Sequence, residues 1–433
     1  MIIKIPYGKR ALDFDYEENK FEVIKAQHSN EITDINDKIR SSIHAPIKSC
    51  PLTTFVNKND RILFIVSDAT RYTASEKIIP ILVKELQEAG INRNHIEMMF
   101  SFGIHRPPTL SEIKEILTEE VTKQFKIHMH DAFDENNFRY LGDTERGTPI
   151  HVNKKIFEFD KLIIVSSVGY HYFAGFSGGR KSLIPGLASF ATIKANHKLV
   201  LNHNSSGKNP NACIARLKDN PVHLDLMEAI DRISIPLFCI NTILFEKKLI
   251  DIISGDISES FVAACQKYAS HASVPLKETR ELVIASCGGY PRDINVIQSH
   301  KSLENASFFC KPGGVIIFLA HCRDGWGNKE FARWLKYSDM QAYKTNLVHH
   351  YQVNGQTAYS WKLKSWEFKI IMISSIPPSF ENKLHVQCAR TIADAYNLAV
   401  NLLGSSCTGY IIPHAWEIIP SFKLNHIHSI MTT

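Results

Sequence analysis

Between Gly169 and His197 the chain reads GYHYFAGFSGGRKSLIPGLASFATIKANH, which gathers His171, a glycine-rich loop ending in Arg180-Lys181, and His197. The apolar run Leu162 to Val165 just before it reads as a buried strand. A strand giving way to glycine-rich backbone and then a helix suits an anion such as phosphate, because unpaired backbone N–H groups and the helix dipole both favour negative charge. Histidine and lysine add groups that bind metals, move protons or form covalent adducts. A structural glycine turn with cations at its surface would use the same residue types.

Ligands of open α/β sheets sit beyond the carboxyl ends of the strands, and several chemically loaded segments fall there. Ser67 to Arg71 closes RILFIVSD, Gly103 to Arg106 closes HIEMMFSFG, and His130-Asp131 with Asp134 follows FKIHMHD. Tyr290 to Lys301 follows ELVIASCGG. Arg71 offers a planar fork for a carboxylate or phosphate, and Asp68 could orient it or take a ribose hydroxyl. Asp68 and Thr70 could equally cap the next helix. His105 and His171 lie on separate loops that could converge, and two histidines flanking one carbon supply a base on each face. His128, His349 and His350 have no such context and read as structural; Asp131 and Asp134 read as caps or orienting groups. There is no Walker A motif, no GxSxG elbow and no HExxH, and Gly325-Trp326-Gly327 lacks the third glycine of a dinucleotide fingerprint.

Two series of strands and helices must position these residues. Residues 1–30 alternate as a small antiparallel β meander. From Arg61 strands alternate with helices such as SEKIIPILVKELQEAG, residues 111–121, residues 191–202 and VHLDLMEAI. A second series begins near Glu281, with ELVIASCGG, GGVIIFLAH, EFKIIMISS and GYIIPHA as strands. The fold class is α/β, with two α/β domains of mainly parallel sheets. The expected division is an N-terminal domain over 1–272, a Rossmann-like domain over 280–410, and a tail over 411–433 packing back on the first. At 433 residues the chain can bury substantial cores. A net charge of +6, dispersed along the chain, suits small anions and argues against nucleic acid. Nine scattered cysteines with no CxxC fit reduced thiols in a cytoplasmic protein, and no apolar run approaches the ~18 residues of a membrane span.

The ordered set SDATR, GIHR, HDAFD, LGDTERGTP, HYFAGFSGGRKSLIPG, NH and GGYPRDINVIQSHK resembles the nickel-dependent lactate racemase family, whose members use a nickel-pincer nucleotide. The resemblance covers roughly residues 60–330 and implies a cofactor in the interdomain cleft. It implies that Lys181 tethers the cofactor through a thioamide and that His197 is the side-chain ligand of nickel. By the same match His105 and His171 are the catalytic acid/bases. Arg71 contacts the substrate carboxylate, and Gln298 and Lys301 line the pocket. Asp68, Thr70, Ser177, Gly178 and Gly179 face the cofactor. The implied activity is racemisation or epimerisation of a 2-hydroxy acid by hydride transfer, with cofactor-making enzymes as partners. The aromatic preceding the pocket glutamine in the lactate enzyme is Ile297 here, and Trp361 and Trp366 are the candidates for the pocket tryptophan. A larger or differently substituted 2-hydroxy acid fits these departures as well as lactate does. Competing readings are an NAD-type hydroxy-acid dehydrogenase, which lacks its glycine fingerprint here, and a nickel or nucleotide carrier, which would need no paired histidines.

Overall fold

A computed structural model describes residues 1–27, 31–202 and 207–425. Contacts divide the chain into two compact units. The larger takes His28–Leu199 and Asn211–Ala269, and the smaller takes Met1–Gln27, Val200–Pro210 and Ser270–Thr433.

The larger unit is built on a seven-stranded sheet whose spatial order is Lys248–Gly255, Leu237–Phe245, Lys161–His171, Ile62–Ser67, Ile96–Ser101, Lys126–Met129. The seventh strand, Gly175–Ser177, folds back antiparallel on the end of Lys161–His171. Four neighbouring pairs are parallel, and Lys248–Gly255 closes one edge antiparallel. The continuous apolar run ILFIVS is buried at all but its last residue, as strands covered on both faces must be. The helix Ser75–Glu88 covers one face with Ile78, Ile79, Leu82, Val83 and Leu86, the three-to-four-residue spacing of a single helical stripe. Thr109 starts the next helix with a reciprocal capping box to Glu112. The single helix expected over 111–121 is instead two, Leu110–Leu117 and Glu119–Gln124. Thr118 adopts φ 72 between them, and its side chain caps the second.

The smaller unit has a six-stranded sheet in the order Gln387–Ala389, Lys369–Ile373, Cys310–Leu319, Arg280–Ser286, Gly409–Ile412, Phe21–Val23, parallel throughout. The N-terminal meander is a two-stranded hairpin, Ile2–Tyr7 with Arg10–Asp15. Its expected third strand, Phe21–Val23, leaves it to extend the parallel sheet beside Gly409–Ile412. Ile5, Tyr7, Phe14 and Phe21 accordingly bury into one core with Leu282, Ile284 and Ile411. Residues 1–27 thus pack with the C-terminal series and not with the rest of 1–272. After Ile412 the chain adds Ile419–Pro420 beside Ser273–Val274, and Asn305 donates to the carbonyls of Ala415 and Trp416. The described part of the 411–433 tail therefore belongs to the smaller unit; residues 426–433 lie outside the described residues. None of the nine cysteines is paired. Among the described residues no helix is long and apolar enough to cross a membrane.

Candidate active site

In the larger unit the ends of three adjacent strands carry the candidate residues. Just past Ile62–Ser67, the buried Asp68 accepts from the Thr70 N–H at 3.2 Å and the Thr70 hydroxyl at 2.7 Å. Its other oxygen lies 2.8 Å from Nδ1 of His105, which follows Ile96–Ser101. Burial pushes the Asp68 carboxyl up, but the His105 ring, the Thr70 hydroxyl and the Arg71 charge pull it further down, below the ordinary carboxylate value. The expected cap role of Asp68 is not what the structure builds. The helix Ser75–Glu88 begins after Ala74 with no side-chain cap, and Asp68 holds a histidine instead.

His171 ends the third strand, 5 % exposed. The backbone N–H of Ala174 donates to its Nδ1 at 3.2 Å. Its ring stacks on Tyr172 at 5.3 Å and meets Phe173 edge-on at 4.5 Å. Phe173 is the hub of the site. Its ring also meets His197 at 5.1 Å, and the Lys181 ammonium lies 5.7 Å from its centre. His197 reaches this place from the last turn of the helix Phe190–Lys198, which Ser189 caps. One aromatic ring therefore gathers His171, Lys181 and His197, which are spread over 27 residues of sequence.

The glycine-rich loop works differently from the expectation. It leads into a short 3₁₀ turn, Gly179–Ser182, and no α-helix begins there. Gly178 has φ 84, and a Cβ on it would sit 2.5 Å from the Ser167 carbonyl oxygen. Gly179 has φ 51, with a Cβ position 2.6 Å from the Phe261 ring. Its N–H is spent on the Ser166 hydroxyl at 2.8 Å, and Ser177 donates to the Gly169 carbonyl at 3.1 Å. These residues let the backbone turn tightly against Phe261 and so present Lys181. Arg180, wholly buried, stacks 4.3 Å from the Phe261 ring and donates to the Ala174 carbonyl at 3.0 Å. Burial and the neighbouring Arg71 and Arg180 charges hold the Lys181 amine well below the ordinary lysine value. Burial also lowers the Arg71 guanidinium, against the pull of Asp68. A lowered lysine pKa favours the neutral, nucleophilic form of the amine.

His128 pairs with Glu97, Asp131 accepts from the Phe133 N–H, and Asp134 caps the turn Glu135–Asn137, all structural as expected. In the smaller unit, Gln298 and Lys301 lie one turn apart on the helix Val296–Ser307, and Lys301 donates to the Gln298 side-chain oxygen at 2.7 Å. Trp416, absent from the sequence reading, packs under Lys301 at 5.4 Å and under Arg292 at 4.3 Å. Trp361 is fully buried and donates to the Leu384 carbonyl at 2.9 Å, whereas Trp366 is 45 % exposed. Phe173 could have been suspected from its place two residues after His171. The pairing of Asp68 with His105, 37 residues apart, left no signal in the sequence.

Among the described residues no group of three or more His, Cys, Asp or Glu side chains could hold a metal ion. A Lys181 amine held below its ordinary pKa, an imidazole at His197 and an aromatic face between them fit a covalently held metal complex that brings its other ligands with it.

Residues 7–209 match the family described as the lactate racemase N-terminal domain, and residues 276–419 match the lactate racemase C-terminal domain. The chain is 29% identical over 427 residues to the lactate racemase of Thermoanaerobacterium thermosaccharolyticum, covering 96% of this chain and 98% of that one. It is 29% identical over 431 residues to the lactate racemase of Lactiplantibacillus plantarum, covering 96% and 99%. The solved structure of the T. thermosaccharolyticum lactate racemase apoprotein superposes with a TM-score of 0.83 at 28% identity, over 97% of this chain and all of that one. A Thermotoga maritima protein shares the fold alone, with a TM-score of 0.70 at 19% identity over 89% and 98%. With family matches over most of its length and full-length relatives of one kind, the chain belongs to the lactate racemase family and is an isomerase of the racemase class.

Proposed function

We propose that the chain inverts C2 of a small 2-hydroxy acid by hydride transfer to and from a nickel-pincer nucleotide tethered at Lys181 and ligated by His197. The reading is carried by the Phe173 cluster, which gathers a lysine of lowered pKa, a candidate metal-binding imidazole and one of two candidate acid/bases around one ring. When bound, the cofactor supplies what no side chain can, a reversible acceptor for hydride. The remaining work falls to the chain. Arg71 holds the substrate carboxylate through a planar fork. His105, backed by ionised Asp68, takes or returns the hydroxyl proton on one face, and His171 serves the other. Gln298 and Lys301, in the smaller unit, are the polar pair that the family resemblance assigns to substrate recognition. Asp68 and Thr70 face the cofactor in the same reading. Enzymes that make the cofactor are the implied partners; nucleic acid and membrane are not.

Intact mass of protein co-expressed with the cofactor-making enzymes tests the tether: an adduct is expected that disappears in Lys181→Ala. Substrate carrying deuterium at C2 tests the chemistry, since a shuttled hydride returns its label to the product. Wash-out of the label into water, as simple proton abstraction at C2 would give, overturns the reading.

A further inference from the structure

The two catalytic candidates, His105 and His171, meet partners of opposite and fixed hydrogen-bonding character. Nδ1 of His105 faces the Asp68 carboxylate at 2.8 Å, and an ionised carboxylate only accepts. The His105 proton is therefore on Nδ1, and the lone pair on Nε2. Nδ1 of His171 faces the backbone N–H of Ala174 at 3.2 Å, and a backbone N–H only donates. The neutral His171 ring must then accept at Nδ1 and carry its proton on Nε2.

Both arrangements are locked from behind. Asp68 is oriented by the Thr70 N–H and hydroxyl. The Phe173–Ala174 peptide that carries this N–H is oriented by Asn220, whose Nδ2 donates to the Phe173 carbonyl at 2.9 Å, while Arg180 donates to the Ala174 carbonyl of the next peptide at 3.0 Å. The His171 ring cannot rotate to escape, being packed between Tyr172 and Phe173.

We propose that the resting enzyme is asymmetric, with His105 preset as the proton acceptor and His171 as the hydrogen-bond donor, and that Asn220 is the positioning residue that sets the second of these states through the Phe173–Ala174 peptide. The inference rests on the reading of His105 and His171 as the acid/base pair. An enantiomer presenting its hydroxyl to His105 can lose that proton directly to Nε2, forming an N–H bond as the O–H bond breaks; the cofactor, when bound, would supply the acceptor for the hydride of C2. Asp68 then faces the resulting imidazolium. An enantiomer presenting its hydroxyl to His171 meets an N–H, and its oxidation waits until His171 gives up the Ala174 bond or changes tautomer.

The tautomers can be read without cofactor or substrate. In protein labelled with ¹⁵N at the histidine rings, long-range ¹H–¹⁵N correlations above the histidine titration range separate Nδ1–H from Nε2–H rings. His105→Gln and His171→Gln identify the two signals. His105 is expected as Nδ1–H and His171 as Nε2–H. Asn220→Asp, which keeps the acceptor of the helix cap and removes the donor to the Phe173 carbonyl, should mix the His171 tautomers while leaving His105 unchanged, and Asp68→Asn should do the reverse. Two rings in the same tautomer, or His171 as Nδ1–H, would overturn the asymmetry whether or not the enzyme racemises. Opposite tautomers in an enzyme whose product loses the C2 label would instead leave the asymmetry standing and remove the hydride mechanism.

Discussion

The carboxyl edges of the two parallel sheets are built from similar apolar strands but carry different chemistry. In the larger unit the edge holds groups suited to exchanging protons or forming bonds: a paired Asp68–His105, a buried His171 and a lysine whose pKa its surroundings hold well below the ordinary value. In the smaller unit it holds groups suited to binding and orienting. Lys301 and Arg292 lie over one tryptophan, Lys301 donates to Gln298, and Asp293 accepts from the Gly8 and His321 N–H groups that knit the N-terminal hairpin to the strand ends. The same sheet architecture thus places reactive groups at one edge and recognition groups at the other. Substitutions should separate accordingly, reactive-edge changes acting on turnover and recognition-edge changes acting on affinity.

The largest effect should come from Lys181→Ala, which removes the sole candidate tether and should leave neither adduct nor inversion. His197→Ala should retain the adduct mass of the organic part but lose nickel, read by metal analysis, because it removes the imidazole assigned to the metal. Replacing His105 by alanine should lower inversion from both enantiomers by about 10²–10⁴-fold, the usual contribution of a positioned acid or base. His171→Ala should lower it in the same range. A turnover loss below tenfold in either variant, measured from both enantiomers, would remove that residue from the reactive edge.

These contrasts were unevenly legible in the sequence. Runs such as RILFIVSD and ELVIASCGG are apolar at every core position, so strand identity and parallel pairing could be read directly. The helix start at Thr109 is encoded locally, since its capping-box partner lies three residues on. The hairpin Leu237–Gly255 was not, since its strands are buried with no clear alternation. The pairing of Phe21–Val23 with Gly409–Ile412 joins the ends of the chain, and no local pattern encodes that. At the site, residue types were legible and their partners were not. Glycine composition cannot distinguish a loop that exposes N–H groups from one that packs tightly on a ring, which is what Gly179 does against Phe261.

The smaller unit also carries a charge that ties its stability to pH. Glu304 is buried on the helix that bears Lys301; burial raises its carboxyl, but Lys364, Lys208, His300 and the Ser360 hydroxyl bring it down to about 2. Its folded value lies below the unfolded one, so its contribution is fully present above about pH 4.5 and lost as pH falls toward 2. The shift corresponds to about 3 kcal/mol, to order of magnitude. Glu304→Gln should therefore be destabilised at pH 7 and converge on the parent as the pH approaches 2, in urea unfolding followed at several pH values. A gap that stays constant with pH would show that the side chain acts through packing and not through charge.

The smallest effect expected is also the one that decides which tryptophan belongs to the recognition edge. Trp416 presents its ring to two cations, Arg292 at 4.3 Å and Lys301 at 5.4 Å, and cation–π contacts of this kind contribute about 0.5–2 kcal/mol each. Phenylalanine keeps an aromatic face of smaller area and weaker quadrupole, so Trp416→Phe should loosen Lys301 without emptying the site. The expected result is a rise in KM of about tenfold or less with kcat little changed, because an interaction made equally in ground and transition state affects binding alone. Trp361→Phe removes instead a buried hydrogen bond to the Leu384 carbonyl, which should cost about 1–3 kcal/mol of stability and leave KM unchanged. Steady-state kinetics and thermal melting of both variants separate the two roles. KM rising in Trp361→Phe, with Trp416→Phe unaltered, would move the recognition edge to the Trp361 side of the helix Val296–Ser307 and remove the Arg292–Trp416–Lys301 stack from it.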